Sequence, residues 1–126
     1  MERIKYYDNK ADIYKFLGKC SVMISDYSSI AYDFLLLNRP IVFYCPDLEN
    51  FMNSECKLNY DYQEYSPGVK TRTWKETMDA VIEYLYHPDK DSEWRDKVRK
   101  EFYNLPSNDE NNSERIVQEV KRRLHF

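Results

Sequence analysis

The residues best suited to chemistry in this sequence are the hydroxyl side chains of Ser28 and Ser29. A short apolar run at Val22–Ile24 ends in a small polar stretch, residues 25–29, and an apolar stretch follows from Ile30. This order predicts a strand, a tight turn and a helix. The turn would place two hydroxyls and several free backbone N–H groups at a helix N-terminus, where the helix dipole favours an anion. A ligand that carries phosphate is therefore the first functional hypothesis.

Asp33 is the next candidate, because it interrupts an apolar stretch one helical turn past the serines. The stretch from Ile30 to Leu37 is otherwise apolar nearly all round, which predicts a helix covered on more than one side. The Asp33 carboxylate could accept hydrogen bonds from the turn or face a ligand hydroxyl. A solvated carboxylate on the one wet stripe of the helix fits the pattern equally well.

The elements that must position these residues alternate along the first third of the chain. Strands are predicted at Ile4–Tyr7, Val22–Ile24 and Ile41–Tyr44, and helices from Ala11 to Gly18 and from Ser28 to about Asn38. Such alternation implies parallel strands joined by right-handed crossovers. The predicted fold class is α/β: a three-layer Rossmann-like half with a short parallel sheet of about three strands and a helical C-terminal part.

The chain is predicted to form a single domain over residues 1–126, with the strand–helix alternation in residues 1–45. Residues 46–72 lack a clear period and are predicted as a long loop, typical of binding loops or lids, with one helical turn at Leu48–Met52. Residues 73–126 are predicted to be helical, starting from a capping box at Thr73–Glu76. Three apolar stripes are expected to face the core: Met78, Val81, Ile82 and Leu85; Trp94, Val98 and Phe102; and Ile116, Val117, Val120 and Leu124.

Composition excludes several classes of protein. The net charge of −3 and the pI near 5.4 argue against a nucleic-acid binder, which usually carries a basic face. The three cysteines show no metal-type spacing and are expected to be reduced thiols of an intracellular protein. No secretory signal and no apolar run long enough to cross a bilayer is visible. Neither a metal nor a cofactor is predicted.

Five motifs, in order and with matching spacing, resemble the CDP-glycerol glycerophosphotransferase family, whose members prime and polymerise teichoic acids and related wall polymers. The resemblance covers about residues 3–90. It is carried by Ser25-Asp26-Tyr27-Ser28-Ser29-Ile30, Asp33-Phe34, Asn38-Arg39-Pro40-Ile41, Tyr44-Cys45-Pro46-Asp47-Leu48-Glu49, and the later Asp61-Tyr62, Tyr65 and Pro67-Gly68.

The resemblance implies the C-terminal portion of the nucleotide-binding domain of a GT-B glycosyltransferase-like fold. Carried over by position, Ser28 and Ser29 would contact the donor phosphates, Asp26 would shape the turn, and Asp33 would support the site or face the ligand. Tyr27 completes the implied substrate-binding set. The implied donor is CDP-glycerol or a related nucleotide-activated compound, and the implied acceptor of the full-length enzyme is a polyol-phosphate polymer. That enzyme would be cytoplasmic and peripheral at the inner face of the plasma membrane.

No catalytic residue is assigned, since the resemblance places the histidine general base of the family upstream of the serine turn. His87 precedes Pro88 at the expected end of a helix, and His125 lies beside the terminus, so both are interpreted as structural or solvated. An oxygen or nitrogen base must reach the acceptor hydroxyl for transfer to occur. The isolated chain is therefore expected not to turn over substrate.

Three interpretations stay open on the sequence. The chain could be a fragment of a glycerophosphotransferase that contributes the donor diphosphate-binding turn. It could be a free-standing, non-catalytic interaction domain derived from that fold. The open edge of the sheet could be covered by the helical C-terminal part or, in a homo-oligomer, by a second copy of the chain. It could also belong to another GT-B enzyme that uses a nucleotide sugar. The sequence leaves glycerol and ribitol phosphate, and primase and polymerase, undistinguished.

Overall fold

The computed structural model describes residues 4–6, 8, 10, 12–53, 58–103 and 112–124. Three strands lie in these ranges: β1 (Met23–Ser25), β2 (Ile41–Tyr44) and β3 (Val69–Thr71). The helices of the same ranges are α1 (Tyr14–Leu17), α2 (Ile30–Leu35), α3 (Leu48–Met52), α4 (Tyr62–Tyr65), α5 (Trp74–Tyr86), α6 (Ser92–Tyr103) and α7 (Asn112–Leu124).

The strands form one parallel sheet in the order β1-β2-β3. Val42 in the central strand is in register with Ile24 of β1 and with Val69 of β3. Because all three strands run the same way, their carboxyl ends meet at one edge, and the loops that follow them lie side by side there. The α/β class with a short three-stranded parallel sheet is confirmed.

Helices cover both faces of this sheet. Alternate residues of β2 point to opposite faces, so they pack against different helices. Ile41 and Phe43 belong to the larger core, which α1, α2, α4 and α6 complete with Leu17, Ala31, Phe34, Leu35, Tyr62 and Val98. Val42 points the other way and packs with Ala80 and Tyr84 of α5. The result is a three-layer, Rossmann-like half.

The predicted strands are confirmed in two of three cases. β1 and β2 lie within one residue of the predicted ranges, but the predicted strand Ile4–Tyr7 is wrong: residues 4–6 belong to no strand and are exposed, and Tyr7 lies outside the described residues. The third strand is β3, inside the segment predicted as a loop. It is only three residues long and carries Lys70 at its centre, which hides the apolar signal of a strand.

The segment 46–72 therefore holds more structure than the predicted long loop. The helical turn predicted at Leu48–Met52 is confirmed as α3. The short helix α4 begins at Asp61, whose carboxylate accepts hydrogen bonds from the N–H groups of Gln63 and Glu64 at 2.8 and 3.0 Å. Residues 54–57, which include Cys56, lie outside the described residues.

The capping box before α5 is confirmed. The Thr73 hydroxyl accepts from the Glu76 N–H at 3.3 Å, and the Glu76 carboxylate accepts from the Thr73 N–H at 3.1 Å. The face predicted to be buried is wrong, however. Small or hydrogen-bonded side chains lie against the sheet, namely Thr77, Ala80 and Tyr84, whereas most of the predicted stripe is about half exposed: Met78 at 49%, Ile82 at 49% and Leu85 at 56%.

The burial predicted for the apolar stripes of α6 and α7 is confirmed for one helix and wrong for the other. In α6 the prediction is confirmed: Val98 is buried, and Trp94 and Phe102 pack against the larger core. In α7 it is wrong, because Ile116, Val117, Val120 and Leu124 are all exposed. No helix in the described ranges combines the length and apolar character needed to cross a bilayer.

Candidate functional site

The carboxyl edge of the sheet brings together three loops. The turn of residues 26–29 follows β1, Cys45–Asp47 follow β2, and Arg72 follows β3. Open α/β sheets bind ligands in the crevice outside the carboxyl ends of their strands. The sequence prediction missed Arg72 because it missed β3. The sequence signal that could have identified it is a cation directly after the run Val69-Lys70-Thr71.

The turn after β1 is organised by Asp26. Its carboxylate accepts a hydrogen bond from the Ser28 N–H at 3.0 Å. The carbonyls of Ser28 and Ser29 then accept from the N–H groups of Ala31 and Tyr32, at 3.2 and 3.0 Å, and so begin α2. The carboxylate therefore acts inside the turn as an acceptor.

Ser28 and Ser29 themselves are exposed. Ser29 precedes α2, yet its side chain makes no capping hydrogen bond. Within the described ranges, the hydroxyls of both serines and the backbone N–H groups of Ser29 and Ile30 find no hydrogen-bond partner. Two hydroxyls and two amides on the carboxyl side of β1 therefore have no partner among the described residues.

The helix behind the turn is shorter than predicted. α2 spans Ile30–Leu35, followed by a turn that ends at Asn38 in the left-handed region, with φ 48°. Leu36 and Leu37 are exposed, so the prediction that the apolar stretch is covered on several sides is wrong for them. Because α2 has only six residues, the local N–H groups rather than a long helix would supply partial positive charge.

Tyr27 is engaged by contacts within the protein, and a role of Tyr27 toward a ligand stays a prediction. Its hydroxyl donates to the Asp47 carboxylate at 2.8 Å, and its ring stacks on Phe51 with centroids 3.6 Å apart. Burial, together with the bond to Asp47, raises the pKa of Tyr27 well above its ordinary value. The phenol therefore stays protonated and ties the turn to the loop after β2.

Asp33 joins helices rather than the turn. Its carboxylate accepts from the Tyr14 hydroxyl of α1 at 2.9 Å and from the Tyr103 hydroxyl of α6 at 3.4 Å. Burial and this carboxylate raise the pKa of Tyr103 to about 12. Sequence reasoning could not find these partners, since they lie 19 and 70 residues away. A role of Asp33 toward a ligand stays a prediction.

A small cavity of about 120 Å³ lies beside the turn at the same edge. Arg72 spans it, donating to the Glu49 carboxylate at 2.8 Å, with both side chains mostly exposed. Neither serine lines this cavity, but Asp47 does, and Tyr27 connects Asp47 to the turn. The lining residues are Pro46, Asp47, Leu48, Glu49, Asn50 and Arg72.

Among the described residues, no histidine lies at this edge. His87 is exposed at the end of α5, where its backbone N–H donates to the Glu83 carbonyl at 2.8 Å, and His125 lies outside the described residues. No group of three or more metal-ligating side chains forms within the part of the chain that the structure describes. The arrangement offers hydrogen-bond donors for an anion.

A parallel sheet covered on both faces, with an exposed polar turn at its carboxyl edge, defines the Rossmann-like class of α/β domains. The family model for CDP-glycerol:poly(glycerophosphate) glycerophosphotransferase matches residues 1–122. The chain belongs to this family, as its motifs predict.

Curated relatives agree with the family match. The chain is similar to the teichoic acid poly(glycerol phosphate) polymerase of Bacillus subtilis (strain 168), at 34% identity over 56% of the chain and 9% of the relative. It is similar to the teichoic acid ribitol-phosphate polymerase TarK of Staphylococcus aureus, at 29% identity over 81% of the chain and 18% of the relative. It is also similar to the teichoic acid glycerol-phosphate transferase of Staphylococcus aureus, at 28% identity over 90% of the chain and 28% of the relative.

The chain thus spans less than a third of the length of each of these relatives. No solved structure matches it.

Proposed function

We propose that this chain is the C-terminal part of a wall-polymer phosphotransferase and that its serine turn contacts the diphosphate of a nucleotide-activated donor. The observation that carries the proposal is that the family match includes Ser28 and Ser29, and that both hydroxyls are exposed at the carboxyl edge. Backbone N–H groups and hydroxyls are the donors that phosphate oxygens accept from at such edges.

The reaction proposed for the full-length enzyme moves glycerol phosphate or ribitol phosphate from a CDP-linked donor to a hydroxyl of a polyol-phosphate polymer. The acceptor oxygen forms a bond to the distal phosphorus, the diphosphate bond breaks, and CMP leaves with the negative charge. Donors aimed at the diphosphate stabilise that charge as it develops. The relatives are named for both glycerol phosphate and ribitol phosphate, so either donor is consistent with the proposal.

The general base belongs to another part of the full-length enzyme. In the described ranges no histidine lies at the carboxyl edge, and the carboxylates of Asp26 and Asp47 already accept hydrogen bonds from the turn. We therefore propose that this chain binds the donor weakly and does not transfer it by itself. The full-length enzyme would work as a peripheral protein at the inner face of the plasma membrane.

Calorimetric titration of the chain with CDP-glycerol, CDP-ribitol and a UDP-sugar tests the proposal. Replacing both serines (Ser28→Ala with Ser29→Ala) should weaken binding of the CDP-linked donor at least about tenfold, since hydrogen bonds to charged groups are strong. The matched control is Ser21→Ala, an exposed serine at the amino end of β1, which should bind like the wild type.

Equal affinity of the double variant and the wild type would contradict the site. Preference for the UDP-sugar over both CDP-linked donors would instead favour a nucleotide-sugar enzyme. Absence of binding to every nucleotide would contradict the donor-binding function and favour a non-catalytic interaction domain.

A further inference from the structure

One buried phenol connects the loops at the carboxyl edge. Tyr62, the first residue of α4, is only 3% exposed, and its hydroxyl donates to the backbone carbonyl of Asp26 at 3.0 Å. The same oxygen lies 3.1 Å from Sγ of Cys45. Asp26 follows β1 and Cys45 follows β2. A side chain from a third, distant segment therefore bridges the two loops.

The direction of these two hydrogen bonds follows from the number of protons. A phenol has one O–H, which is engaged with the Asp26 carbonyl, so the Cys45 thiol is the donor to the Tyr62 oxygen. Burial raises the pKa of both groups, which keeps the thiol and the phenol protonated. The chain of donors runs from thiol to phenol to carbonyl.

The Tyr62 ring is held from several sides. Phe43 meets it edge-on with centroids 5.9 Å apart, and Tyr27 packs against it at 5.5 Å. The helix that carries it is fixed to α6, because Nε1 of Trp94 donates to the Glu64 carbonyl at 2.8 Å. The hydroxyl is therefore preorganised and can define the position of whatever it binds.

The bound carbonyl belongs to the residue that shapes the serine turn. The Asp26 backbone is held by Tyr62, and the Asp26 carboxylate accepts from the Ser28 N–H, so the two contacts act in series. A shift at the Asp26 peptide would move the Ser28 amide and the hydroxyls that follow. Displacements of about 1 Å in a positioned group are enough to lose much of its effect.

We propose that Tyr62 is a positioning residue for the serine turn: through the Asp26 carbonyl it fixes where the amides and hydroxyls of residues 28–30 point. Its importance for donor binding rests on the proposed function, whereas its effect on the turn does not. The Tyr62 side chain is buried, and its proposed effect passes through the Asp26 carbonyl.

The test compares Tyr62→Phe with Tyr84→Phe. Tyr84 is a matched control, since it is 1% exposed and hydrogen-bonded to the Val69 N–H and the Asp91 carboxylate, but on the opposite face of the sheet. Amide hydrogen exchange and NMR chemical shifts of residues 26–30 are measured without ligand. We expect Tyr62→Phe to speed exchange at Ser28 roughly fivefold and to shift its neighbours, as loss of one hydrogen bond predicts.

We expect Tyr84→Phe to leave exchange and shifts of residues 26–30 at their wild-type values. An unchanged turn in Tyr62→Phe overturns the proposal, and so does an equal change in both variants, which would reflect general loss of stability. If Tyr62→Phe does not fold, the hydroxyl proton of Tyr62 in the wild type decides the matter, because a hydrogen bond to the Asp26 carbonyl should protect it from exchange. Exchange of that proton as fast as in an exposed tyrosine would overturn the proposal.

Titration with CDP-glycerol separates this inference from the proposed function. If the wild type binds and the double serine variant does not, Tyr62→Phe should bind roughly fivefold more weakly while Tyr84→Phe binds normally. Wild-type affinity in Tyr62→Phe would overturn the positioning role alone. Failure of the wild type to bind would overturn the donor site, and the exchange measurement would still decide what Tyr62 does.

Discussion

At the scale of single residues, the turn after β1 combines polar groups that are hydrogen-bonded within the protein with polar groups that are exposed to solvent. Asp26 and Tyr27 are engaged with the protein, whereas Ser28 and Ser29 face solvent. The sequence could predict the serines, because a strand signal, a polar turn and a helix signal are local. It could not predict the partner of Tyr27, since Asp47 comes from a different loop.

Lys70 shows a second residue-scale effect, a cation surrounded by aromatic rings. It lies in β3 on the larger-core side, with Nζ 4.5 Å from the Trp94 ring centroid and 5.5 Å from that of Phe43, and it donates to the Ser66 carbonyl. Burial lowers the pKa of Lys70 from 10.5 to about 8. The charged form is thus penalised in the folded chain relative to the unfolded chain.

The sign of the resulting pH dependence is definite. Below pH 8 Lys70 is protonated in both the folded and the unfolded state, and the buried ammonium destabilises the folded state fully. Between pH 8 and 10.5 only the unfolded state keeps the proton, so this destabilisation decreases as the pH rises. We expect the stability of the wild type relative to Lys70→Met to increase across this window. Urea midpoints of both proteins at several pH values measure it, and the tyrosine titrations cancel in the difference. A constant difference would contradict the buried, destabilised ammonium.

At the scale of elements, the loop that enters β3 passes very close to β2. Gly68 is buried, and a Cβ atom there would lie 2.0 Å from the Ile41 carbonyl oxygen and 3.3 Å from the Phe43 ring. The Ile41 carbonyl is backbone of the central strand and cannot move aside. Glycine at position 68 therefore permits this close approach to β2, whereas the sequence alone presents Pro67-Gly68 only as a turn signal.

Two alanine substitutions compare the glycines of this chain. Gly68→Ala should destabilise the fold by about 3 kcal/mol or more, since the clash is with backbone. Gly18→Ala should be neutral or stabilise by up to about 1 kcal/mol, because its φ is −61° and no atom lies within 4 Å of the new Cβ. Urea denaturation measures both. Similar midpoints for the two variants would refute the close approach.

How far the elements could be predicted depended on the length of each signal. The four-residue β2 and the capping box of α5 are strong local patterns, and both were found. The face of α5 was predicted wrongly, because periodicity identifies an apolar stripe but not what the sheet can accommodate. Ala80 permits close approach, and the Tyr84 hydroxyl is satisfied by the Val69 N–H and Asp91, so they are buried instead.

At the scale of the whole molecule, the described residues of the carboxyl edge expose more carboxylates than cations. Asp26, Asp47 and Glu49 provide three carboxylates, whereas the guanidinium of Arg72 is already paired with Glu49 and the Lys70 ammonium is partly buried beneath the edge. A diphosphate bound at this edge, as proposed, would be attracted by hydrogen bonds but opposed by neighbouring negative charge. We therefore propose that the cations which offset the diphosphate in the full-length enzyme come from other segments, which sequence patterns within this chain could not reveal.

This balance predicts an unusual response to salt. Cationic sites lose affinity for phosphates as ionic strength rises, because salt screens the attraction. Here screening acts mainly on repulsion, so raising ionic strength from about 0.05 to 0.3 M should leave the affinity for CDP-glycerol unchanged or improve it modestly. Calorimetric titration at both ionic strengths checks this. A severalfold loss of affinity would show that cations dominate the site.

The two tryptophans lie in different environments, so their intrinsic fluorescence can report on two parts of the fold. Trp74 is 60% exposed and stacks on Tyr44 just past the carboxyl edge, whereas Trp94 is half-buried over the Lys70 ammonium. Their fluorescence spectra should differ accordingly, with red-shifted emission from Trp74 and blue-shifted emission from Trp94. Removing one indole at a time would let fluorescence follow the proposed arrival of a ligand through Trp74 and the deprotonation of Lys70 in the core through Trp94.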